Sequence, residues 1–265
     1  MIVIRMLFND IIFGPVQSRR LGVSLGINLL PKQGKICSFN CIYCECGLNE
    51  DSIFEDKLPS RNEVYTALEK HLHQMQGTCD MLDAITFSGN GEPTMHPDFE
   101  EIVNDTIVLR NRYSPDAKVC VLSNATQIRK ESVYKALNRV DCNILKMDSA
   151  SNEMIQFINQ PNNPDFKIES LVEDLKTFNG NLTIQTIFLT GHYQGNFIDN
   201  TREEELILWL NALKRINPKQ VMIYTLDRVT PVKDLEKIPI EKLEQIAAKV
   251  KALGIATRLS MHRKL

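Results

Sequence analysis

The 265-residue sequence contains no run of about 18 uncharged apolar residues, which a membrane-crossing helix would require. Its N-terminus, MIVIRMLFNDIIFG, lacks the basic start, long apolar run and small-residue cleavage site of a signal peptide. It also lacks a basic excess, with 31 Lys and Arg against 33 Asp and Glu. These absences predict a cytoplasmic protein without a membrane partner. They disfavour a nucleic-acid backbone as the main partner, although a local basic patch stays possible.

The sequence also has no internal repeat and no Ser/Gly-rich linker. Its apolar fraction of 43% and charged fraction of 24% are those of an ordinary globular protein, which excludes disordered and low-complexity classes. We therefore predict a single domain over residues 1–265. Its core covers about residues 20–230, with a C-terminal extension over about 231–265.

Strand-like and helix-like segments alternate along the chain. The predicted strands are Leu21–Leu30, Asp83–Ser88, Lys118–Ser123, Cys142–Asp148, Leu182–Leu189 and Gln220–Leu226, with a further short one at Ala256–Ser260. The predicted helices are Arg61–Gln76, Pro97–Arg112, Ile128–Asn138, Ile168–Phe178, Arg202–Ile216 and Ile240–Leu253. Such alternation indicates βαβ units, hence an α/β fold with a parallel sheet. A closed TIM barrel has eight units, so the six units here predict an incomplete barrel or an open sheet.

Two helix starts carry cap signals, and two stretches interrupt the alternation. Ser60, with Glu63 three residues later, has the spacing of a capping box before the first helix. Thr201 is expected to cap the fifth helix. Ser151–Phe166 is too rich in Pro and Asn for a continuous helix, and Asp227–Pro239 is a long connection. Long loops in compact domains are often functional.

Seven cysteines form the unusual feature of the composition, and four of them lie between positions 37 and 46. An odd count without an export signal argues against disulfides. Cys37, Cys41 and Cys44 have the spacing C-x3-C-x2-C, and short loops of this kind gather thiolates around an iron–sulfur cluster. Three cysteines leave one iron of a [4Fe–4S] cluster open for chemistry. The alternatives are a zinc site with Cys46 as fourth ligand, a four-cysteine electron-transfer cluster, and buried structural thiols.

The spacing C-x3-C-x-aromatic-C, with Tyr43 directly before Cys44, resembles the motif of radical S-adenosylmethionine (SAM) enzymes. The resemblance implies that Cys37, Cys41 and Cys44 hold a [4Fe–4S] cluster whose open iron binds SAM, and that Tyr43 lies among the cofactor-binding residues. It further implies that one electron cleaves SAM to a 5′-deoxyadenosyl radical, which abstracts hydrogen from a substrate. The fold of this superfamily is a partial (β/α)6 TIM-like barrel, which agrees with the six units counted above.

A glycine-rich turn follows the second predicted strand and consists of Gly89, Asn90, Gly91 and Glu92. It resembles the GGE motif of the same superfamily, with Asn90 in place of the middle glycine. The resemblance implies a contact with the amino group of SAM. The alternative is that a tight turn between strand and helix needs glycine for its own backbone conformation.

Polar residues at or near the ends of later strands are further cofactor-binding candidates. Ser123 and Asn124 end the third strand, and the alternative for them is an ordinary turn or cap role. Lys146 and Asp148 are two positions apart and share a face of the fourth strand, so they either contact SAM or form a buried ion pair. Gln185 lies in the middle of the fifth strand and is either a ligand contact or a satisfied core amide.

Three segments, FGPVQSRRLGVSLGINLLP, CSFNCIYCECG and SGNGEPTMHP, together resemble iron–sulfur oxidoreductases related to 4-demethylwyosine synthase of tRNA wyosine synthesis, over roughly residues 12–232. Those tRNA enzymes carry a second cluster on extra N-terminal cysteines, whereas this chain has no cysteine before Cys37. We therefore expect the core without the second cluster, and not wyosine synthesis itself. Arg19 and Arg20 either bind a carboxylate or phosphate or brace the cysteine loop.

The resulting expectation is a radical SAM enzyme with one cluster. Its substrate is a small molecule, a nucleoside or a protein, and its electron donor is a flavodoxin or ferredoxin. The alternatives are an activase of a glycyl-radical enzyme or a tRNA-modifying enzyme of the same superfamily, and, more remotely, a non-catalytic iron–sulfur or zinc protein. No catalytic acid or base is assigned, because the abstracting species comes from the cofactor.

Overall fold

A computed structural model describes residues 6–18, 20–49, 57–76 and 81–260. The strands of these residues are β1 Ile12–Ser18, β2 Gly22–Ile27, β3 Ala84–Phe87, β4 Lys118–Ser123, β5 Cys142–Lys146, β6 Thr183–Tyr193, β7 Asn196–Asp199, β8 Gln220–Thr225, β9 Leu235–Lys237 and β10 Ala256–Leu259. The helices are α1 Arg61–Met75, α2 Phe99–Tyr113, α3 Glu131–Arg139, α4 Asn152–Ile158, α5 Ile168–Lys176, α6 Glu203–Ile216 and α7 Ile240–Ala252. None of the helices described is both long and apolar enough to cross a membrane.

The seven predicted strands and six predicted helices are all present, and the α/β class is confirmed. Two helices begin two or three residues later than predicted, and neither has a side-chain cap at its start. Helix α2 begins at Phe99 instead of Pro97, and α3 begins at Glu131 instead of Ile128. The prediction that Thr201 caps α6 is wrong, because its backbone N–H and hydroxyl bind the carboxylate of Asp199, and Arg202 occupies the cap position.

The chain forms two compact units, and the division between them falls inside β5. The amino-terminal unit contains the described residues of 6–37 and 49–144. Its strand order is β1-β2-β3-β4, followed by β5; β1 and β2 are antiparallel, whereas β2, β3 and β4 are parallel. Every residue of β3 is buried, as expected for a parallel strand covered on both faces. The capping box of Ser60 and Glu63 is present at the start of α1.

The carboxy-terminal unit contains residues 38–48 and the described residues of 145–265. Its strand order is β6-β8-β10, and these three strands are parallel. Beyond residue 189, β6 continues as an antiparallel partner of both β7 and β9. Trp209 of α6 packs edge-on against Phe188 of β6 in the core of this unit. The Pro- and Asn-rich stretch also contains α4, which Ser151 caps.

Candidate functional site

In the amino-terminal unit, the glycine-rich turn holds the backbone that leads into Cys37. Ile36 donates its N–H to the carbonyl of Asn90 (3.0 Å) and accepts the N–H of Glu92 (2.9 Å). A Cβ at Gly91, where φ is +131°, would lie 1.9 Å from the Ile36 carbonyl oxygen. Gly91 is thus required by the close approach of these two backbones. The turn therefore fixes the backbone at the start of the cysteine loop.

Asn90, the departure from the three-glycine pattern, is fully buried and makes structural contacts. Its side-chain nitrogen donates to the carbonyls of Phe8 (2.9 Å) and Pro31 (2.7 Å), and its side-chain oxygen accepts the N–H of Phe8 (2.9 Å). Its own backbone N–H donates to the side chain of Asn28 (3.0 Å). The asparagine therefore ties the segment before β1 to the turn, which a glycine could not do.

Glu92 points its carboxylate inward and accepts four hydrogen bonds. One oxygen accepts the N–H and hydroxyl of Thr94 (3.0 and 2.5 Å) and the hydroxyl of Ser123 (2.8 Å). The other accepts the backbone N–H of Asn124 (2.6 Å). Burial raises the pKa of Glu92 because it penalises the charged form, although these hydrogen bonds act in the opposite direction. The carboxylate thus joins the turn to the end of β4.

Replacing Glu92 with glutamine tests this role through pH. The amide nitrogen of the substitute cannot accept the N–H of Asn124, so we expect a loss of about 1–3 kcal/mol in unfolding free energy. Between the ordinary pKa of 4.5 and the raised folded value, only the unfolded wild-type chain loses its proton, so wild-type stability falls as pH rises. The stability advantage of wild type over Glu92→Gln should therefore shrink from pH 4.5 upward in denaturant titrations. An advantage that grows with pH would contradict the raised value.

The two residues that bind the carboxylate of Glu92, Ser123 and Asn124, make further hydrogen bonds. The side-chain nitrogen of Asn124 donates to the sulfur of Cys37 (3.6 Å), and its side-chain oxygen accepts the N–H and hydroxyl of Thr126 (3.1 and 2.8 Å). The hydroxyl of Ser123 also accepts the N–H of Ala125 (2.9 Å). Both predicted residues therefore lie where the turn and the first cysteine are held. Their contact with a cofactor stays a prediction.

In the carboxy-terminal unit, the cysteine loop turns tightly between Cys41 and Cys44, whose N–H donates to the Cys41 carbonyl (3.1 Å). The backbone of Ile42 binds the end of α4 through the carbonyl of Ile158 (3.0 Å). Tyr43 is buried, so the aromatic residue of the motif forms part of the core rather than an exposed surface.

Asp148 lies at the centre of a buried polar cluster in this unit. Its carboxylate accepts the hydroxyl of Tyr43 and the backbone N–H of Ile187 (3.0 Å), and it pairs with the ammonium of Lys146 (3.4 Å). Lys146 also donates to the hydroxyl of Tyr224 (2.6 Å) and lies 5.0 Å from the ring centre of Tyr43. Burial acts to lower the pKa of Lys146, but Asp148 and Tyr224 outweigh it, and the pKa is raised. The two residues predicted to share a face thus form an ion pair, in which the side chain of Asp148 is fully buried and that of Lys146 is 17% exposed.

Asn159, which sequence reasoning missed, belongs to the same cluster. Its side-chain nitrogen donates to Asp148 (2.7 Å) and to the sulfur of Cys41 (3.4 Å). It is fully buried at the C-cap of α4. The only sequence signal was an asparagine in a segment of turn-forming composition, and that composition does not distinguish a turn residue from a buried donor.

Gln185 lies in the middle of β6 and is 5% exposed. Its side-chain nitrogen has no hydrogen-bond partner in the described residues, so it is not a satisfied core amide. Buried donors without a partner are rare in folded proteins and call for an explanation such as a ligand. The observation agrees with the ligand-contact alternative, which stays a prediction.

The chemistry of the cysteines fits an iron–sulfur cluster. Each of the six described cysteines, Cys37, Cys41, Cys44, Cys46, Cys120 and Cys142, lies outside any disulfide. No three Cys, His, Asp or Glu side chains of the described residues are arranged around a single metal ion. A cluster does not require that arrangement, because each thiolate binds a different iron. The positions Arg19 and Cys79 lie outside the described residues.

Comparison with known proteins places the chain in a family. No protein-family model matches it. A UPF0026 protein of Synechocystis is 30% identical over 233 residues, covering 85% of this chain and 78% of that protein. The chain belongs to the UPF0026 family. A protein named GTPase Obg from Brachyspira hyodysenteriae is 28% identical over 240 residues, but this UPF0026 chain spans only 32% of its length. The phosphate-binding pattern G-x4-G-K-[S/T] does not occur in the sequence.

Solved structures confirm the expected fold. A radical SAM methyltransferase from Sphaerobacter thermophilus matches with a TM-score of 0.65 at 13% identity, over 89% of this chain and 65% of that one. SuiB from Streptococcus suis, bound to S-adenosylmethionine, matches at 0.60 and 14%, over 86% and 49%. TYW1 with a lysine–pyruvate adduct matches at 0.57 and 14%, over 86% and 73%. This UPF0026 member therefore has the α/β partial-barrel fold of radical SAM proteins.

Proposed function

We propose that this UPF0026 member is a radical SAM enzyme that carries one [4Fe–4S] cluster on Cys37, Cys41 and Cys44. The observation that supports this most is that a fold shared with radical SAM enzymes carries the motif C-x3-C-x-aromatic-C with all three thiols outside any disulfide. When bound, the cluster and S-adenosylmethionine would supply a 5′-deoxyadenosyl radical for hydrogen abstraction. The expected cofactors agree with the S-adenosylmethionine bound to SuiB.

We propose that the glycine-rich turn contacts the cofactor through its backbone and that its side chains hold this backbone in place. All side-chain donors of Asn90 and the whole carboxylate of Glu92 already bind protein groups. We therefore assign cofactor contact to the backbone of Gly89 and Gly91, with Asn90 and Glu92 as positioning residues. Removing either side chain should disturb the start of the cysteine loop, because Ile36 pairs with this turn.

The remaining candidates are proposed to line the cofactor with different chemistries. Gln185 offers an amide donor that has no partner among the described residues. Tyr43, Lys146 and Asp148 form one buried group, in which the hydroxyl and ammonium both serve the carboxylate. Ser123 and Asn124 hold the glycine-rich turn and the first cysteine. Their shared task is to fix the geometry of the bound cofactor.

The substrate class proposed is a small molecule, a nucleoside or a protein residue that loses a hydrogen atom. TYW1 is described with a lysine–pyruvate adduct. Lys146 of this chain is poorly suited to form such an adduct, because imine formation needs a neutral amine and its pKa is raised by Asp148 and Tyr224. A second SuiB structure contains its precursor peptide, which favours testing peptides alongside small molecules.

Anaerobic reconstitution with iron and sulfide tests the proposed activity. The protein should turn brown, bleach with dithionite or a reduced flavodoxin or ferredoxin, and convert S-adenosylmethionine to 5′-deoxyadenosine. A non-catalytic electron carrier would bleach without producing 5′-deoxyadenosine, and its reduced EPR signal would not change with S-adenosylmethionine. A colourless protein with stoichiometric zinc would overturn the proposal. Deuterium transfer from labelled candidates into 5′-deoxyadenosine would then identify the substrate.

A further inference from the structure

Two asparagine side chains each donate a hydrogen bond to a sulfur of the cysteine motif. The side-chain nitrogen of Asn159 lies 3.4 Å from the sulfur of Cys41, and that of Asn124 lies 3.6 Å from the sulfur of Cys37. These contacts bridge 118 and 87 positions of sequence, so neither is a local turn contact. Both lie within the range allowed for hydrogen bonds to sulfur, which is softer and larger than oxygen.

The neighbours of Asn159 fix which end of its amide faces Cys41. The carboxylate of Asp148 lies 2.7 Å from the side-chain nitrogen and only accepts hydrogen bonds, so the nitrogen must point to this side. The side-chain oxygen is buried and has no hydrogen-bond partner among the residues that the structure describes. Leaving a buried acceptor without a hydrogen bond costs about 1–3 kcal/mol. This orientation is held by the side-chain nitrogen, whose acceptors are the carboxylate of Asp148 (2.7 Å), the hydroxyl of Tyr43 (3.1 Å) and the sulfur of Cys41 (3.4 Å).

The orientation of Asn124 is fixed in the same way. Its side-chain oxygen accepts two hydrogen bonds from Thr126, one from the backbone N–H and one from the hydroxyl. The N–H can only donate, so the oxygen of Asn124 must face Thr126. The side-chain nitrogen is thereby turned towards Cys37, and the backbone N–H of Asn124 is held by Glu92.

We propose that Asn124 and Asn159 are positioning residues for the cluster thiolates and set the reduction potential of the cluster. This inference rests on the proposed function. A hydrogen bond to a thiolate sulfur stabilises negative charge, and the reduced cluster carries one more negative charge than the oxidised cluster. Such donors therefore favour the reduced form and raise the midpoint potential. Their removal should make the cluster harder to reduce.

The test measures the midpoint potential of reconstituted variants by EPR-monitored redox titration without S-adenosylmethionine. Asn159→Ala removes one donor. Asn124→Ala removes the donor to Cys37 without adding a charge beside the cluster. Asn143→Ala is the matched control, because Asn143 is 2% exposed and, within the described part of the chain, neither of its side-chain polar atoms has a hydrogen-bond partner.

Both variants should bind as much iron as wild type and titrate at a lower midpoint potential, whereas the control titrates with wild type. The double variant should shift further than either single one. Unchanged or raised midpoints in both variants would overturn the proposal. If Asn159→Ala fails to assemble a cluster, the uncharged variant Asn124→Ala alone decides. A wild-type protein that assembles no cluster would instead refute the proposed function, which keeps the two failures distinct.

Discussion

Replacing Cys41 with alanine should abolish assembly of the iron–sulfur cluster and, with it, all conversion of S-adenosylmethionine to 5′-deoxyadenosine. The reason is that a cluster held by three thiolates loses a third of its protein ligands, and Cys41 is buried, so no outside ligand replaces it readily. Iron and sulfide content and visible absorbance after anaerobic reconstitution measure the loss. A variant that still binds a full complement of iron would contradict the assigned ligands.

Cys46→Ala is the matched control, because Cys46 lies two residues after Cys44 in the same loop. Under the three-cysteine assignment, this variant keeps its cluster and its reaction with S-adenosylmethionine. If Cys46→Ala loses metal as completely as Cys41→Ala, the site has four thiolates. The zinc and electron-transfer alternatives would then account for the motif, and the metal that co-purifies would distinguish between them.

The repeated βα units could be predicted because their residues are locally consistent. Strand β4 has the predicted ends, Lys118 and Ser123, since its apolar run is bounded by polar residues on both sides. Strand β7 is absent from the prediction for a local reason. The hairpin of β6 and β7 turns at Gln194 and Gly195, both with positive φ, and glutamine is not one of the residues that mark such turns.

The candidate site likewise has one part that the sequence indicates and one part that it does not. The cysteine spacing and the glycine-rich turn are short motifs, so the sequence alone indicates them. The inward direction of Glu92 depends on Ser123 and Asn124, which are more than 30 positions away. Asn159 and Cys41, which share a hydrogen bond, are 118 positions apart in the sequence. Contacts of this kind arise from the packing of strand ends, and no pattern within one segment carries them.

Replacing Asp148 with alanine should lower the unfolding free energy by about 3–5 kcal/mol, the cost of breaking a buried ion pair by removing one partner. The carboxylate is fully buried, and its loss would leave the ammonium of Lys146 without its counter-charge. The hydroxyl of Tyr43, the amide of Asn159 and the N–H of Ile187 would lose their acceptor as well. Denaturant unfolding should be followed under anaerobic conditions by the fluorescence of the single tryptophan. That residue is buried, and its ring nitrogen donates to the carbonyl of the residue before Asp148.

Two further variants separate the contribution of the ion pair to stability from that of the hydrogen bonds to Asp148. Adding Lys146→Met to Asp148→Ala removes the stranded ammonium, so the double variant should recover a substantial part of the lost stability. Asp199→Ala is the matched control, because Asp199 accepts two hydrogen bonds from Thr201 and should cost only about 1–3 kcal/mol. Asp148→Ala could cost no more unfolding free energy than Asp199→Ala, or the double variant could recover no stability. Either result would mean that the ion pair does not stabilise the polar group around Asp148.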